Sequence, residues 1–302
     1  MIKIKKVVNN MSSTFGIDVS HWQGDFDFAK AVKNDKVEFA ILKIGGSDAG
    51  RYKDGKFDSN YKKCKDLNLP VGAYYFGHDM TVDAAKESAQ HFISLLKGKQ
   101  FEYPVYYDVE ADMITKLDKA TLTDIVIAFC DEVEKAGYYI GVYSSASFFN
   151  SEMDDKRLSR FCHWAAAWSA KPSLTSGNPI QMWQFGGSRN CIRSTKINGQ
   201  TVDQNFCYVD YQTIIKRVGL NGYKASASTP KPAAGIKAGT AYSLKNVPVY
   251  NSESGGSIGK RTGIYRTWDS VIKNGRIRMT NSASRVGVPG QVSFWVDVKN
   301  LK

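Results

Sequence analysis

From Phe15 to about Val218 the chain alternates short apolar runs with longer amphipathic stretches, the signature of strands and helices following one another in an α/β domain. The apolar runs predict strands over 15–19, 39–44, 71–76, 105–109, 140–143, 163–167 and 182–185, with a further short one near Val209. Between them, apolar positions recur at helical spacing over 84–96 and over 121–136. The second stretch stops at Gly137, a residue that accepts the left-handed conformation common at helix ends. About eight strands in roughly 200 residues suit a closed (β/α) barrel better than an open sheet. The open doubly wound sheet is the competing architecture, but no Gly-x-Gly-x-x-Gly follows the first strand, which removes the usual support for nucleotide binding.

The pattern changes after residue 220. Residues 222–240 are mostly small, with two prolines, as in a linker. Beyond them, 247–250, 262–268, 277–279 and 292–296 are short β-type runs between Gly- and Asn-rich turns, with no helical period. They predict a small all-β barrel of about 60 residues. The chain therefore divides into an N-terminal extension over 1–14, an α/β barrel over 15–220, a linker over 221–240 and an all-β domain over 241–302.

Charge sharpens that division. Of the net +12, residues 221–302 carry +10, from 13 Lys and Arg against 3 Asp and Glu. A basic second domain points to a polyanionic partner such as a wall polymer, an anionic lipid or a nucleic acid, or else to a solubilising surface. Apolar residues make up 42% of the chain, which is enough for a sizeable core, yet no run approaches the roughly 18 needed to span a membrane. The first ten residues have the charge of a signal-peptide n-region without a long enough apolar h-region. Synthesis without a standard export signal is expected, with Met11 as a second candidate start. Five widely spaced cysteines (Cys64, Cys130, Cys162, Cys191 and Cys207), with no Cys-x-x-Cys pair, argue against a disulfide scaffold and predict buried, inert thiols. His21, His78, His91 and His163 show neither metal spacing nor a paired nucleophile, so no metal and no cofactor are expected.

The chemistry concentrates in Tyr103-Pro-Val-Tyr-Tyr-Asp108-Val-Glu110. An apolar strand ends there in two carboxylates two residues apart, and such residues share one face of a strand. At the C-terminal mouth of a barrel the two charges repel, one carboxyl is pushed toward its protonated form, and it can then donate a proton near neutral pH. The alternative is a strand running into a solvated acidic loop. Asp18, in Gly16-Ile-Asp-Val-Ser, repeats the same strand ending, and Asp203 supplies a third acidic position late in the domain. Each alone could satisfy loop backbone.

Taken together, Gly16-Ile-Asp-Val-Ser with Trp22-Gln23, Ala40-Ile-Leu-Lys43, Val71-Gly-Ala-Tyr-Tyr-Phe76, Tyr107-Asp-Val-Glu110, Gly141-Val-Tyr-Ser144, Trp164 to Trp168, Met182-Trp-Gln-Phe185 and Val202-Asp-Gln-Asn205 make the first two thirds of the chain resemble a glycoside hydrolase family 25 lysozyme, an N-acetylmuramidase. The resemblance implies an irregular (β/α) barrel whose groove cleaves the β-1,4 bond from N-acetylmuramic acid to N-acetylglucosamine in bacterial peptidoglycan. It implies Glu110 as general acid and Asp18, Asp108 and Asp203 as the other active-site carboxylates, their division of labour left open between substrate assistance and a direct nucleophile or base. Lys43, Tyr74, Tyr75, Tyr143, Trp164, Trp168 and Trp183 fall at or near strand ends and are candidate substrate contacts; core packing, or a salt bridge for Lys43, is the alternative.

The second domain, with Asn246-Val-Pro-Val-Tyr-Asn-Ser252 and Phe294-Trp-Val-Asp-Val298, resembles the bacterial Src-homology-3-type wall-binding modules of phage lysins and autolysins. That likeness implies a wall peptide or an anionic wall polymer as its ligand rather than a nucleic acid, for which no motif is present. It also implies a phage endolysin, made in the cytoplasm and acting on the wall at lysis. A carbohydrate-binding protein that has lost turnover is the competing reading.

Overall fold

The computed structural model describes residues 13–168, 170–187, 192–225, 236–253, 256–287 and 292–301. The chain forms two compact units, 1–225 and 226–302. The predicted N-terminal extension up to residue 12, Cys191 and residues 226–235 of the predicted linker lie outside the described residues.

Eight strands close the barrel of the first unit: β1 (Thr14–Val19), β2 (Phe39–Gly46), β3 (Val71–Phe76), β4 (Val105–Asp108), β5 (Ile140–Ser145), β6 (Cys162–Ala166), β7 (Met182–Gly186) and β8 (Asp203–Cys207). Neighbours from β1 through β7 run parallel, while β8 runs antiparallel to both β7 and β1, and β1 also pairs with β2 to complete the circle. The strand expected near Val209 is instead Asp203–Cys207, because Asp210 caps the helix that follows, its side chain accepting from Thr213 N at 3.1 Å.

The period of two along each strand separates two cores. Outward residues such as Ile17, Leu42, Tyr75, Tyr107, Val142, Trp183 and Phe185 pack with the surrounding helices. Inward residues, among them Ile41, Tyr106, Tyr143, Trp164, Met182 and Cys207, fill the barrel. The closed end is dense with rings: Phe39 stacks on Tyr103 with centroids 4.3 Å apart, and at Gly16 any Cβ would overlap the Phe39 ring, which is why β1 carries glycine there.

The predicted helices extend over Val82–Leu96 and Lys119–Lys135, started by side-chain caps from Thr81 and Asp118. Phe129 of the second stacks on Tyr107 at 3.8 Å, tying helix to strand. Two more helices stand beside these, over Phe57–Asp66, which buries only Phe57, Asn60 and Cys64, and over Tyr211–Val218, whose Tyr211, Ile214, Ile215 and Val218 recur at helical spacing and bury Tyr211 and Ile215. Residues 221–225, assigned to the linker from composition, pack on the first unit. Asn221 is fully buried, its Nδ2 donating to Tyr103 O at 2.8 Å and its Oδ1 accepting from Tyr139 N at 2.6 Å, and the Tyr223 hydroxyl bonds Glu102. Cys64, Cys130, Cys162 and Cys207 are buried free thiols.

The second unit is a closed antiparallel barrel of β9 (Ala241–Tyr250), β10 (Ser257–Lys273), β11 (Arg276–Thr280) and β12 (Phe294–Asp297) around Leu244, Val249, Ile277, Met279, Phe294 and Val296. Asn274-Gly275, both at positive φ, make the tight hairpin turn that this dipeptide favours.

Candidate active site

Because β1 to β7 are parallel, their C-terminal ends gather at one mouth, and antiparallel β8 presents its beginning there. Asp18 near the end of β1 and Asp203 at the start of β8 are therefore direct cross-strand partners. Asp108 ends β4, buried, and Glu110 follows two residues later with its side chain accessible to solvent. The four predicted carboxylates converge closely enough to perturb one another.

Burial raises all four carboxyls above their ordinary range. Asp18 is pushed well up by burial and then by Asp203, against two hydrogen bonds that pull it down. Asp108 is raised by burial and by Glu110, with Lys43 opposing, and its Oδ1 has no hydrogen-bond partner among the described residues. The protein atoms crowded around Glu110 raise it by desolvation despite its accessibility, with the Tyr143 hydroxyl and Lys43 opposing. Asp203, half-buried, is pushed up to about 6 by burial and by Glu110. Such a group holds protons at pH values where free carboxylates have lost them, which is what a carboxyl acid catalyst requires.

Of the predicted substrate contacts, Lys43, Tyr74, Tyr143 and Trp164 lie on the inward face of their strands. The Lys43 ammonium sits 4.7 Å over the Phe76 ring. Trp164 packs edge-on to Tyr74 and 4.4 Å from Tyr143, and it is almost wholly buried. Trp168, half-buried just beyond β6, stands at the mouth close to Gly187, where any Cβ would overlap the Asp203 carboxyl. Two assignments are corrected. Tyr75 and Trp183 occupy outward positions of their strands and point into the outer core: Tyr75 packs on Phe92 and Phe129 with its hydroxyl 3.0 Å from His91 Nδ1, and Trp183 packs on Phe185 and bonds Ala167 O at 2.8 Å. Neither faces the groove.

Sequence reasoning passed over three residues. Gln184 and Asn205 each donate to Asp18 Oδ2, at 3.1 and 2.8 Å. Both stood in motifs already noted, on the inward period of their strands. Trp22 stands 79% exposed just after β1, against the His21 ring at 4.7 Å; His21 Nδ1 in turn meets the buried Asp54 carboxylate at 2.7 Å. An exposed indole braced in this way offers a face for a sugar ring. His163 is committed elsewhere, buried against Asp155 at 2.7 Å. Among the described residues no group of three His, Cys, Asp or Glu is arranged to hold a metal ion.

The glycosyl hydrolases family 25 model matches residues 17–192. The chain is similar to lysozyme M1 of Streptomyces globisporus, at 25% identity over 62% of this chain and 69% of that protein. It is similar to the lysozyme of Lactococcus phage mv1, at 25% identity over 59% of this chain and 90% of that one. Among solved structures it is similar to the modular autolysin LytC of Streptococcus pneumoniae, with a TM-score of 0.56 and 25% identity over 65% of this chain; it spans 46% of the LytC chain. LytC has also been solved with a synthetic peptidoglycan ligand.

Proposed function

Since that family match spans more than half of the sequence, the chain belongs to glycosyl hydrolases family 25 and is a glycoside hydrolase; we propose that it cuts the β-1,4 bond from N-acetylmuramic acid to N-acetylglucosamine in bacterial peptidoglycan. The observation that carries the proposal is the convergence of Asp18, Asp108, Glu110 and Asp203 at one barrel mouth, all four with raised proton affinity. The lysozyme relatives and the peptidoglycan ligand of LytC supply the substrate class.

In this reading Glu110, the accessible member, protonates the bridging oxygen as the bond to the anomeric carbon breaks, and a water completes hydrolysis. A carboxylate across the ring, or the substrate's own N-acetyl oxygen held by one, answers the positive charge that builds on the sugar. Lys43, Tyr74, Tyr143 and Trp168 line the groove and hold the glycan; Trp164 backs them. The net +10 of residues 221–302 suits a second unit that holds the enzyme on an anionic wall in the manner of a bacterial Src-homology-3-type module, so that tethering raises the local concentration of glycan. The site of action is then the bacterial wall, reached at host lysis. Among the described residues no helix is long and apolar enough to cross a membrane.

Mass spectrometry of digested peptidoglycan tests the bond. Fragments with N-acetylmuramic acid at the new reducing end are expected; new amino groups, or N-acetylglucosamine at the reducing end, would overturn the assignment.

A further inference from the structure

We propose that Gln184 and Asn205 are positioning residues that fix which oxygen of Asp18 is open to the substrate, and that the indole N–H groups of Trp168 and Trp164 set their orientation. The inference deepens the reading above and rests on Asp18 belonging to the reacting cluster.

An indole N–H donates and never accepts, whereas a carboxamide can present either its oxygen or its NH2 to a neighbour. Trp164 Nε1 lies 2.8 Å from Asn205 Oδ1, and Trp168 Nε1 lies 3.1 Å from Gln184 Oε1. In each amide the oxygen is thereby taken, and the NH2 must face the other way. Both NH2 groups then meet the same atom, Asp18 Oδ2, at 2.8 and 3.1 Å. An oxygen receiving two N–H donors has no lone pair free for a proton. Any proton on Asp18 therefore sits on Oδ1, and Oδ1 alone is left to act on the substrate.

The parts come from separate elements. Asp18 is on β1, Trp164 on β6, Trp168 just beyond it, Gln184 on β7 and Asn205 on β8. Asp18, Trp164, Gln184 and Asn205 are buried, so water does not compete for these bonds; Trp168 is the one member reaching the rim. The Tyr143 hydroxyl also donates to Gln184 Oε1, at 3.1 Å, but a hydroxyl can accept as readily as donate. Only the indole forbids the reversed amide.

The charged and titratable groups facing Asp18 are Asp203, Glu110 and Asp108, with the Tyr74 and Tyr143 phenols beside them and Lys43 across from Asp108 and Glu110. Against that acidic surrounding the two amide N–H bonds favour the ionised carboxylate. Weakening them moves the Asp18 titration to higher pH.

The test is the pH profile of kcat/KM for peptidoglycan hydrolysis by the full chain, in the parent, Trp168→Phe, Gln184→Glu and Asp18→Asn, each checked for folding by its thermal transition. Trp168→Phe lets the amide turn, and Gln184→Glu replaces the donor with a second acid. One limb should move up by at least about half a pH unit in the first variant and about one unit or more in the second, and that limb should vanish from any residual activity of Asp18→Asn. A purely structural role lowers kcat without moving a limb. Asn205→Asp repeats the reversal from β8 should Gln184→Glu fail to fold. An inactive Asp18→Asn together with limbs unmoved in the folded variants would overturn the inference and leave the cluster intact. Full activity in Asp18→Asn would overturn the placing of Asp18 in the cluster, and the inference with it.

Discussion

Replacing Asp203 with asparagine should make the barrel more stable at neutral pH while disabling it. Asp203 faces Asp18 across the β1–β8 pair, and its carboxyl is raised from 3.8 to about 6 by burial and by Glu110. In the unfolded chain it titrates near its ordinary value, so between those two pH values the fold binds a proton that the unfolded chain has released. The contribution is fully present below the unfolded value and is lost as pH rises through the folded one. A shift of about two units corresponds to roughly 3 kcal/mol. Relaxation around the charge and residual structure in the unfolded chain reduce what is measured, so about 1.5 to 3 kcal/mol is expected. Asparagine is neutral at every pH and nearly the same size, and it also lifts the repulsion on Asp18. Urea unfolding at pH 4 and pH 7.5, read on the barrel strands by hydrogen exchange, provides the assay. Parent and variant should be close at pH 4, with the variant ahead at pH 7.5. An equal difference at both pH values, or a less stable variant at pH 7.5, would refute the electrostatic account.

Two further predictions concern activity and boundaries. Glu110→Gln should lose about 100- to 10,000-fold in released reducing ends, the usual worth of a positioned acid, with wall binding retained; parental turnover would remove Glu110 from its role. A chain ending at Leu220 should unfold more easily than one ending at Ala225 by at least about 2 kcal/mol, because it loses both side-chain hydrogen bonds of buried Asn221 and the Tyr223–Glu102 contact. Equal urea midpoints would return residues 221–225 to the linker.

What could be read from the sequence follows what period and residue type encode. Seven parallel strands were visible because each is a short apolar run, and two inward carboxylates were visible because Asp108 and Glu110 share a strand parity. Parity also carried the information that was missed: Tyr74 and Tyr75 are chemically alike, and only the alternation inherited from Gly72 sends one into the barrel and the other against Phe92 and Phe129. The helix over Phe57–Asp66 was obscured because it lies on the surface and buries so little. The boundary at 221 was misplaced because composition registers small residues but not the pairing of one asparagine with two backbone groups.

Asp203 shows why topology mattered more than motif. In an all-parallel barrel, acids that reach the mouth come at strand ends, and an Asp followed by Gln-Asn-Phe-Cys would sit at the far, closed side. Reversing one strand brings its first residue to the mouth instead. It also places Asn205, two positions on and facing the same way, beneath Asp18, so a single reversed strand delivers both the charge that opposes Asp18 and a donor that orients it. Val202 and Cys207, buried at either end of the segment, and Phe206, packed on Phe15 and Phe185, hold this register. A one-residue slip would turn Asp203 and Asn205 outward together. The acid cluster therefore depends on the packing of β8 as directly as on the acids themselves.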